Sequence, residues 1–267
     1  MIKMLVLDLD NTLLRSDKTI SQYTEKILQK AHDVGIKIVF ATARPYRAIR
    51  HYMQQVNCST AVYHNGAIAL LEGQRAGSSY GIPNKEAIRL VQALQSRYPG
   101  KKLSVEIDDK IYANFDVISI WGKSPRDRKI LEASTVQTDF SELPEIDADK
   151  IIVELNSDSE YVEIQSLLSA DLYCLLSDGR TICQIMNRNA TKLNAVKQLA
   201  MQMGISRSEI AAFGDDYNDL EMIQYSGIGV AMSNAIDEVR QAADAVTVSN
   251  NEDGVAKYIM EAILKDY

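Results

Sequence analysis

The sequence predicts an α/β protein: a Rossmann-like parallel-sheet core with helices on both faces, plus an inserted α+β domain. Three observations carry this reading. Strand-like apolar runs alternate with segments of helical periodicity over residues 1–71 and again from residue 187, the rhythm of parallel strands joined by crossover helices. Between these stretches lie short strand pairs around tight turns, which demand antiparallel pairing. The length of 267 residues allows one large domain or two modest ones, at roughly 150 residues per domain.

Taken in order, residues 1–8 form a short, mostly apolar strand, and residues 21–34 carry apolar side chains at helical spacing, closed by Gly35 as a C-terminal cap. Residues 36–41 are a second buried strand, Pro45 opens a helix at its favoured first position, and residues 61–63 are a third strand followed by the Asn65-Gly66 turn. A linker-like composition at Gly77-Ser78-Ser79-Tyr80-Gly81-Ile82-Pro83 marks a boundary. Beyond it, a helix at 84–97 and strands at 103–107 and 111–115 flank Asp108-Asp109-Lys110. A second helix-strand-strand set follows at 158–169, 172–176 and 181–186, turning at Asp178-Gly179. From Asn187 the first rhythm returns: helix 191–203, strand 210–213, helix 217–224, strand 228–230, helix 236–243, strand 245–248 and helix 253–264. The expected domains are residues 1–82 and 186–267 as one discontinuous catalytic core, with 83–185 as an inserted cap.

Composition narrows the function. Hydrophobic residues make up 46% and charged residues 24%, enough apolar material for a packed core. A net charge of −7 argues against nucleic acid as a partner. No apolar run approaches the roughly 18 residues of a membrane span, and the early Asp8 argues against a secretory leader, so no membrane partner is expected. Cys58, Cys174 and Cys183 form no C-x-x-C pair, which suits a reducing, cytoplasmic location. His32, His51 and His64 show no zinc spacing. A metal here would be a hard ion held by carboxylates.

Ligands of open parallel sheets collect at the carboxyl ends of the strands. The residues that follow each core strand are therefore informative: Asp8-Leu9-Asp10-Asn11-Thr12, Thr42-Ala43-Arg44, and Gly214-Asp215-Asp216-Tyr217-Asn218-Asp219. Asp8 and Asp10, two apart in extended chain, can point to the same side. With Asp215 and Asp219 they would repel strongly without a cation, and an oxygen-lined cluster suits Mg2+. Lys192 sits in the first turn of a helix, where the macrodipole disfavours cations, as expected of a charge aimed at a bound anion. Each feature has a plain structural alternative: a polar turn, a helix cap at Thr42, a solvated lysine, an acidic first turn. Their coincidence at one sheet edge favours a site.

Asp8-Leu9-Asp10-Asn11-Thr12-Leu13-Leu14, Ala41-Thr42-Ala43-Arg44, Lys192 and the run from Phe213 to Met222 resemble the four motifs of the haloacid dehalogenase superfamily. Residues 229–235 and 250–255 resemble the tail of its Cof-type hydrolases, which carry a large α/β cap between the second and third motifs. The resemblance implies that Asp8 attacks phosphorus and becomes an aspartyl phosphate, and that Asp10 protonates the leaving alcohol and then activates water. It further implies that Asp8, the main-chain carbonyl of Asp10 and Asp215 hold Mg2+. Thr42, Lys192 and Asn218 would bind the phosphoryl oxygens, and Asp219 would orient Lys192 or the metal's water. The substrate would be a small phosphorylated metabolite. Three positions depart from the pattern. Asn11 stands where Gly is usual, and Asn tolerates left-handed backbone; Ala43 and Leu193 also replace glycines, which narrows the room near a phosphate. A phosphomutase of the same superfamily, a receiver-like signalling protein and a non-catalytic phosphate-binding protein are the alternatives. The Asp8-x-Asp10 spacing, which suits turnover, argues against the receiver.

Overall fold

All four side chains of strand β1 (Met4–Leu7) are buried, as expected of a strand covered on both faces by helices. The computed structural model describes residues 1–77, 79–177 and 179–265 and divides into two units, Met1–Ser79 with Thr191–Tyr267, and Tyr80–Ala190. In the first unit, helix α1 (Gln22–Asp33) follows β1. The Ser21 hydroxyl caps it by accepting the Thr24 N–H, and Gly35, at φ +88°, terminates it as expected. Then come β2 (Lys37–Ala41), α2 (Tyr46–Gln55), β3 (Thr60–Tyr63), β4 (Ile68–Leu71) and β5 (Gln74–Arg75).

The second unit contains α3 (Asn84–Arg97), β6 (Leu103–Ile107), β7 (Lys110–Ala113), α4 (Val117–Trp121), α5 (Pro125–Ser134), β8 (Thr135–Gln137), β9 (Lys150–Glu154), α6 (Asp158–Leu167), β10 (Leu172–Ser177) and β11 (Ile182–Asn187). The chain then returns to the first unit with α7 (Lys192–Gln202), β12 (Ile210–Gly214), α8 (Leu220–Tyr225), β13 (Ile228–Met232), α9 (Asp237–Ala242), β14 (Ala245–Thr247) and α10 (Gly254–Tyr258).

The first unit's sheet runs β14-β13-β12-β1-β2-β3-β4-β5, parallel from β14 to β3 and antiparallel beyond. Alternation along the strands supplies two buried faces. Met4, Val6, Val39, Ala41 and Ala212 pack with Ala195, Val196 and Leu199 of α7 and Met222 of α8. On the opposite face Phe213 meets Tyr258 of α10 edge-on, with ring centroids 5.7 Å apart. Leu7 pairs in register with Phe213 on one side and Phe40 on the other. Asp8, the next residue, is thereby delivered to the middle of the sheet's carboxyl edge.

The second unit's sheet runs β10-β11-β9-β6-β7-β8 and is antiparallel except at β7–β8. Leu103, Val105, Ile151, Val153, Cys183 and Ile185 form one face and bury Leu90, Val91 and Leu94 of α3 and Ile164 of α6. Each such fully buried aliphatic side chain contributes about 2 kcal/mol. The three cysteines are free and buried. No helix among the described residues is long and apolar enough to cross a membrane.

Several expectations need correction. Pro45 is the cap of α2, not its first residue, with extended backbone at φ −72°, ψ 160°. The Asn65-Gly66 turn leads into β4 and β5, which extend the sheet antiparallel. The two helix-strand-strand sets are separated by α4, α5, β8 and the central strand β9. The last helix passes at Ile259 into a π-helical turn over Ile259–Ile263. Ser78 of the expected linker and Asp178 of the expected turn lie outside the described residues.

Gly66 is required where it stands. At φ +107°, a Cβ there would lie 2.1 Å from the carbonyl oxygen of Thr191, the residue that caps α7. Gly66→Ala is expected to destabilise the protein by about 3 kcal/mol, from backbone strain plus overlap with a main-chain atom. Gly100, at φ +80° with open space around it, should lose only about 1 kcal/mol as Ala. Urea denaturation of both variants measures the difference; equal losses would show that the Gly66–Thr191 approach is not needed.

Candidate active site

Three chain segments converge on one ammonium group. Lys192, the first residue of α7, is 1% exposed. Its Nζ lies 2.7 Å from Asp8 Oδ1 and 2.6 Å from Asp219 Oδ1. A cation at a helix N-terminus is opposed by the dipole, and burial opposes it further. Burial works against the charge on Lys192, but Asp219 and Asp8 outweigh it and raise its pKa above the ordinary lysine value. Lys192 is a fixed cation.

Asp219 is held on both oxygens. Oδ2 accepts the N–H groups of Asp215 (3.0 Å) and Asp216 (3.2 Å), while Oδ1 takes Lys192. Asp216 caps the turn Tyr217–Asp219, completing a reciprocal box with Asp219. Gly214 makes this possible, because a Cβ there would lie 2.4 Å from Asp219 Cβ.

Asp8, Asp215 and Asp219 form a cluster whose ligand atoms lie within 4.8 Å of one another. Thr12 Oγ1 donates to Asp215 Oδ1 at 2.9 Å, and the Asp8 N–H donates to the Phe213 carbonyl at 3.1 Å. Asn11 adopts the left-handed backbone expected of it, φ +59°, and turns the chain so that Thr12 reaches Asp215. Among the described residues, no hydrogen bond is donated to Asp8 Oδ2 or Asp215 Oδ2. Burial, then the charges of Asp219 and Asp215, raises the Asp8 pKa well above the carboxylate range against the pull of Lys192. Burial and Asp219 push Asp215 up to about 6. With all three carboxylates ionised, the one ammonium leaves two negative charges, which a single divalent cation balances. Hard oxygen donors with two unengaged oxygens fit Mg2+.

The Asp10 carboxylate stands apart from this cluster. Arg44 grips it through two bonds, Nε to Oδ2 at 2.6 Å and Nη2 to Oδ1 at 2.7 Å, and Lys18 Nζ adds a third at 2.7 Å. Burial favours the protonated form, but Arg44 and then Lys18 overcome it and lower the pKa to about 2. Thr42 is buried; its Oγ1 accepts the Arg44 N–H and its carbonyl accepts the Asn65 N–H. Asn218 Nδ2 donates to Asn65 Oδ1 at 2.9 Å. The structure thus joins Asp8, Lys192, Asp215 and Asp219 directly, holds Asp10 and Thr42 through Arg44, and ties Asn218 to Asn65. Thr12, Lys18, Arg44 and Asn65 were assigned no role from the sequence. Thr12 and Arg44 lie within the strand-end runs, so position alone could have flagged them; Lys18 and Asn65 carried no chemical signal.

Comparison with known proteins identifies the lineage. The family profile of haloacid dehalogenase-like hydrolases matches residues 5–259. The 5-amino-6-(5-phospho-D-ribitylamino)uracil phosphatase YitU of Bacillus subtilis is 30% identical, over 97% of this chain and 96% of its own. The crystal structure of TM0651 from Thermotoga maritima superposes with a TM-score of 0.85 at 27% identity, covering 98% of both chains. BT1666 from Bacteroides thetaiotaomicron, studied among the phosphatases of that superfamily, gives 0.81 at 26% identity over 97% of this chain and 94% of its own. The chain belongs to the haloacid dehalogenase-like hydrolases.

Proposed function

We propose that this chain is a Mg2+-dependent phosphatase that hydrolyses small phosphorylated metabolites, sugar phosphates or similar, through an aspartyl phosphate on Asp8. The observation that carries the reading is the state of the Asp8 carboxylate. One oxygen is locked by the buried Lys192 while the other accepts no hydrogen bond from the described residues. A nucleophile needs that combination of a fixed position and an unengaged lone pair. The activity named for YitU, removal of phosphate from a ribitylaminouracil, falls within the same substrate class. Residues 1–82 and 186–267 act as the catalytic core, and residues 83–185 as a cap that supplies substrate discrimination.

Asp8, the main-chain carbonyl of Asp10 and Asp215 would hold Mg2+. The ion would supply neutralisation of the carboxylates and of the phosphoryl oxygens, keeping Asp8 anionic against the burial that now favours its protonated form. Lys192 adds a fixed positive charge for the phosphoryl group, joined by the Thr42 hydroxyl and the Asn218 amide. Asp219 is a positioning residue that holds the Lys192 ammonium. Asp10 is anionic as Arg44 and Lys18 hold it, ready to take a proton from water in the second half-reaction. Its part as acid in the first half requires a substrate to loosen that grip. Net transfer within one sugar, the phosphomutase alternative, would give no free phosphate.

A phosphate-release screen over sugar phosphates, nucleotides, pyridoxal phosphate and flavin mononucleotide with Mg2+ tests the reading. Asp8→Asn should release phosphate at less than a few per cent of the parent rate while remaining folded, because an amide of the same volume cannot attack phosphorus. Substantial turnover by that variant would remove Asp8 as nucleophile.

Mg2+ itself should raise the stability of the parent by about 2.7 kcal/mol at a hundredfold excess over Kd. Asp215→Asn should lose most of that gain. A melting temperature unmoved by Mg2+ in both proteins would show that the carboxylates hold no such ion.

A further inference from the structure

The face of the second unit's sheet turned away from α3 and α6 carries, at one end, a cavity that the proposed chemistry does not use. Strand register sets out that face. Lys102, Glu154 and Ile182 form one row across β6, β9 and β11, and Ser104, Ile152 and Gln184 form the next. The first row lies at the end of the sheet away from Ile82, where the chain pairs with Ala148 just ahead of β9. There a cavity of about 410 Å3 is lined by Lys102, Ile152, Glu154 and Ile182 on the sheet side. Phe115, Ile120, Trp121 and Lys123, from the β7 end and α4, supply the opposite wall. The Phe115 and Trp121 rings stand at 90° with centroids 5.5 Å apart, and Ile120 is 37% exposed.

Three properties specify the occupant. The volume falls within the 300–1,000 Å3 of small-molecule pockets and has room for a one- or two-ring system. The walls are aromatic and branched aliphatic, which suits a flat ring by stacking and dispersion. The polar edge is a matched pair: Lys102 Nζ donates to Glu154 Oε1 at 2.8 Å, with their side chains 42% and 39% exposed. An ammonium beside a carboxylate presents one donor and one acceptor side by side, complementary to an adjacent C=O and N–H. Lys123 adds a second ammonium that makes no ion pair among the described residues. We propose that this cavity binds a planar heteroaromatic ring bearing an imide or lactam edge, with the ring against Phe115 and Trp121 and the edge on Lys102 and Glu154.

Trp121 is the chain's only tryptophan, so its emission reports on the cavity directly. Uridine, which has the imide edge and no phosphate, is titrated into the full-length parent beside N3-methyluridine and ribose. The proposal predicts a saturable change in Trp121 emission with uridine at millimolar concentration or below and none with ribose. Methylating N3, which removes the imide N–H, should weaken binding by about tenfold. Glu154→Leu, shown folded by its melting temperature, should weaken uridine by a similar factor and make uridine and N3-methyluridine equal, as expected when the contact being probed is gone. No emission change with uridine overturns the proposal. So does equal affinity for the two nucleosides in the parent, or a preference for uridine that survives in Glu154→Leu. None of these results bears on phosphate release, which is measured separately.

Discussion

The buried ion pairs of Lys192 are the constraint on which the core depends. An ammonium that is 1% exposed is tolerated only because two carboxylates meet it at hydrogen-bond distance, and removing one partner of such a cluster costs about 3–5 kcal/mol. The partners come from distant parts of the chain: Asp8 from the end of β1 and Asp219 from the turn after β12. Their meeting demands the β12-β1 pairing and the helix start at Thr191, and these in turn demand two glycines. Gly214 lets Asp219 lie against the backbone, and Gly66 lets the β3-β4 turn approach Thr191. One charge thus fixes the mutual placement of strand, helix and turn.

The same arrangement divides labour among the aspartates. Asp219 is saturated by Lys192 and two backbone amides, so it serves geometry. Asp8 and Asp215 each keep an oxygen without a hydrogen bond from the described residues, and burial and then the charge of Asp219 raise the pKa of both, the condition that a divalent cation relieves. Asp10 sits in the opposite electrostatic setting, pulled down by Arg44 and Lys18. Two carboxylates separated by one residue therefore have opposite protonation tendencies, set by what surrounds each of them.

Asp8, Lys192 and Asp215 were legible in the sequence because strand ends in a parallel sheet converge on one edge, and residue type at those ends is then informative. Asn11 was legible for a related reason, since a left-handed position tolerates few side chains. The grip of Arg44 and Lys18 on Asp10 was not legible, because it depends on the path of the loop after β1. Strand β9 escaped notice although Ile151, Ile152 and Val153 are β-branched. Buried on both faces, it lacks the alternation that marks a half-exposed strand. Helices α4 and α5 are short, and their apolar residues pack in a satellite cluster with Ile111 and Ala113, so periodicity had too few turns in which to show.

The proposed chemistry requires that phosphorus be bonded to Asp8 during turnover. Rapid acid quench of the parent enzyme mixed with its best substrate and Mg2+, followed by mass spectrometry of the proteolysed chain, tests it directly. A phosphoryl group is expected on the Asp8 carboxylate within the peptide that contains Asp8 and Asp10, appearing before free phosphate and decaying as phosphate accumulates. Phosphate release at full rate with no phosphorylated Asp8 at any quench time, or with the phosphoryl group on Asp10 instead, would contradict it.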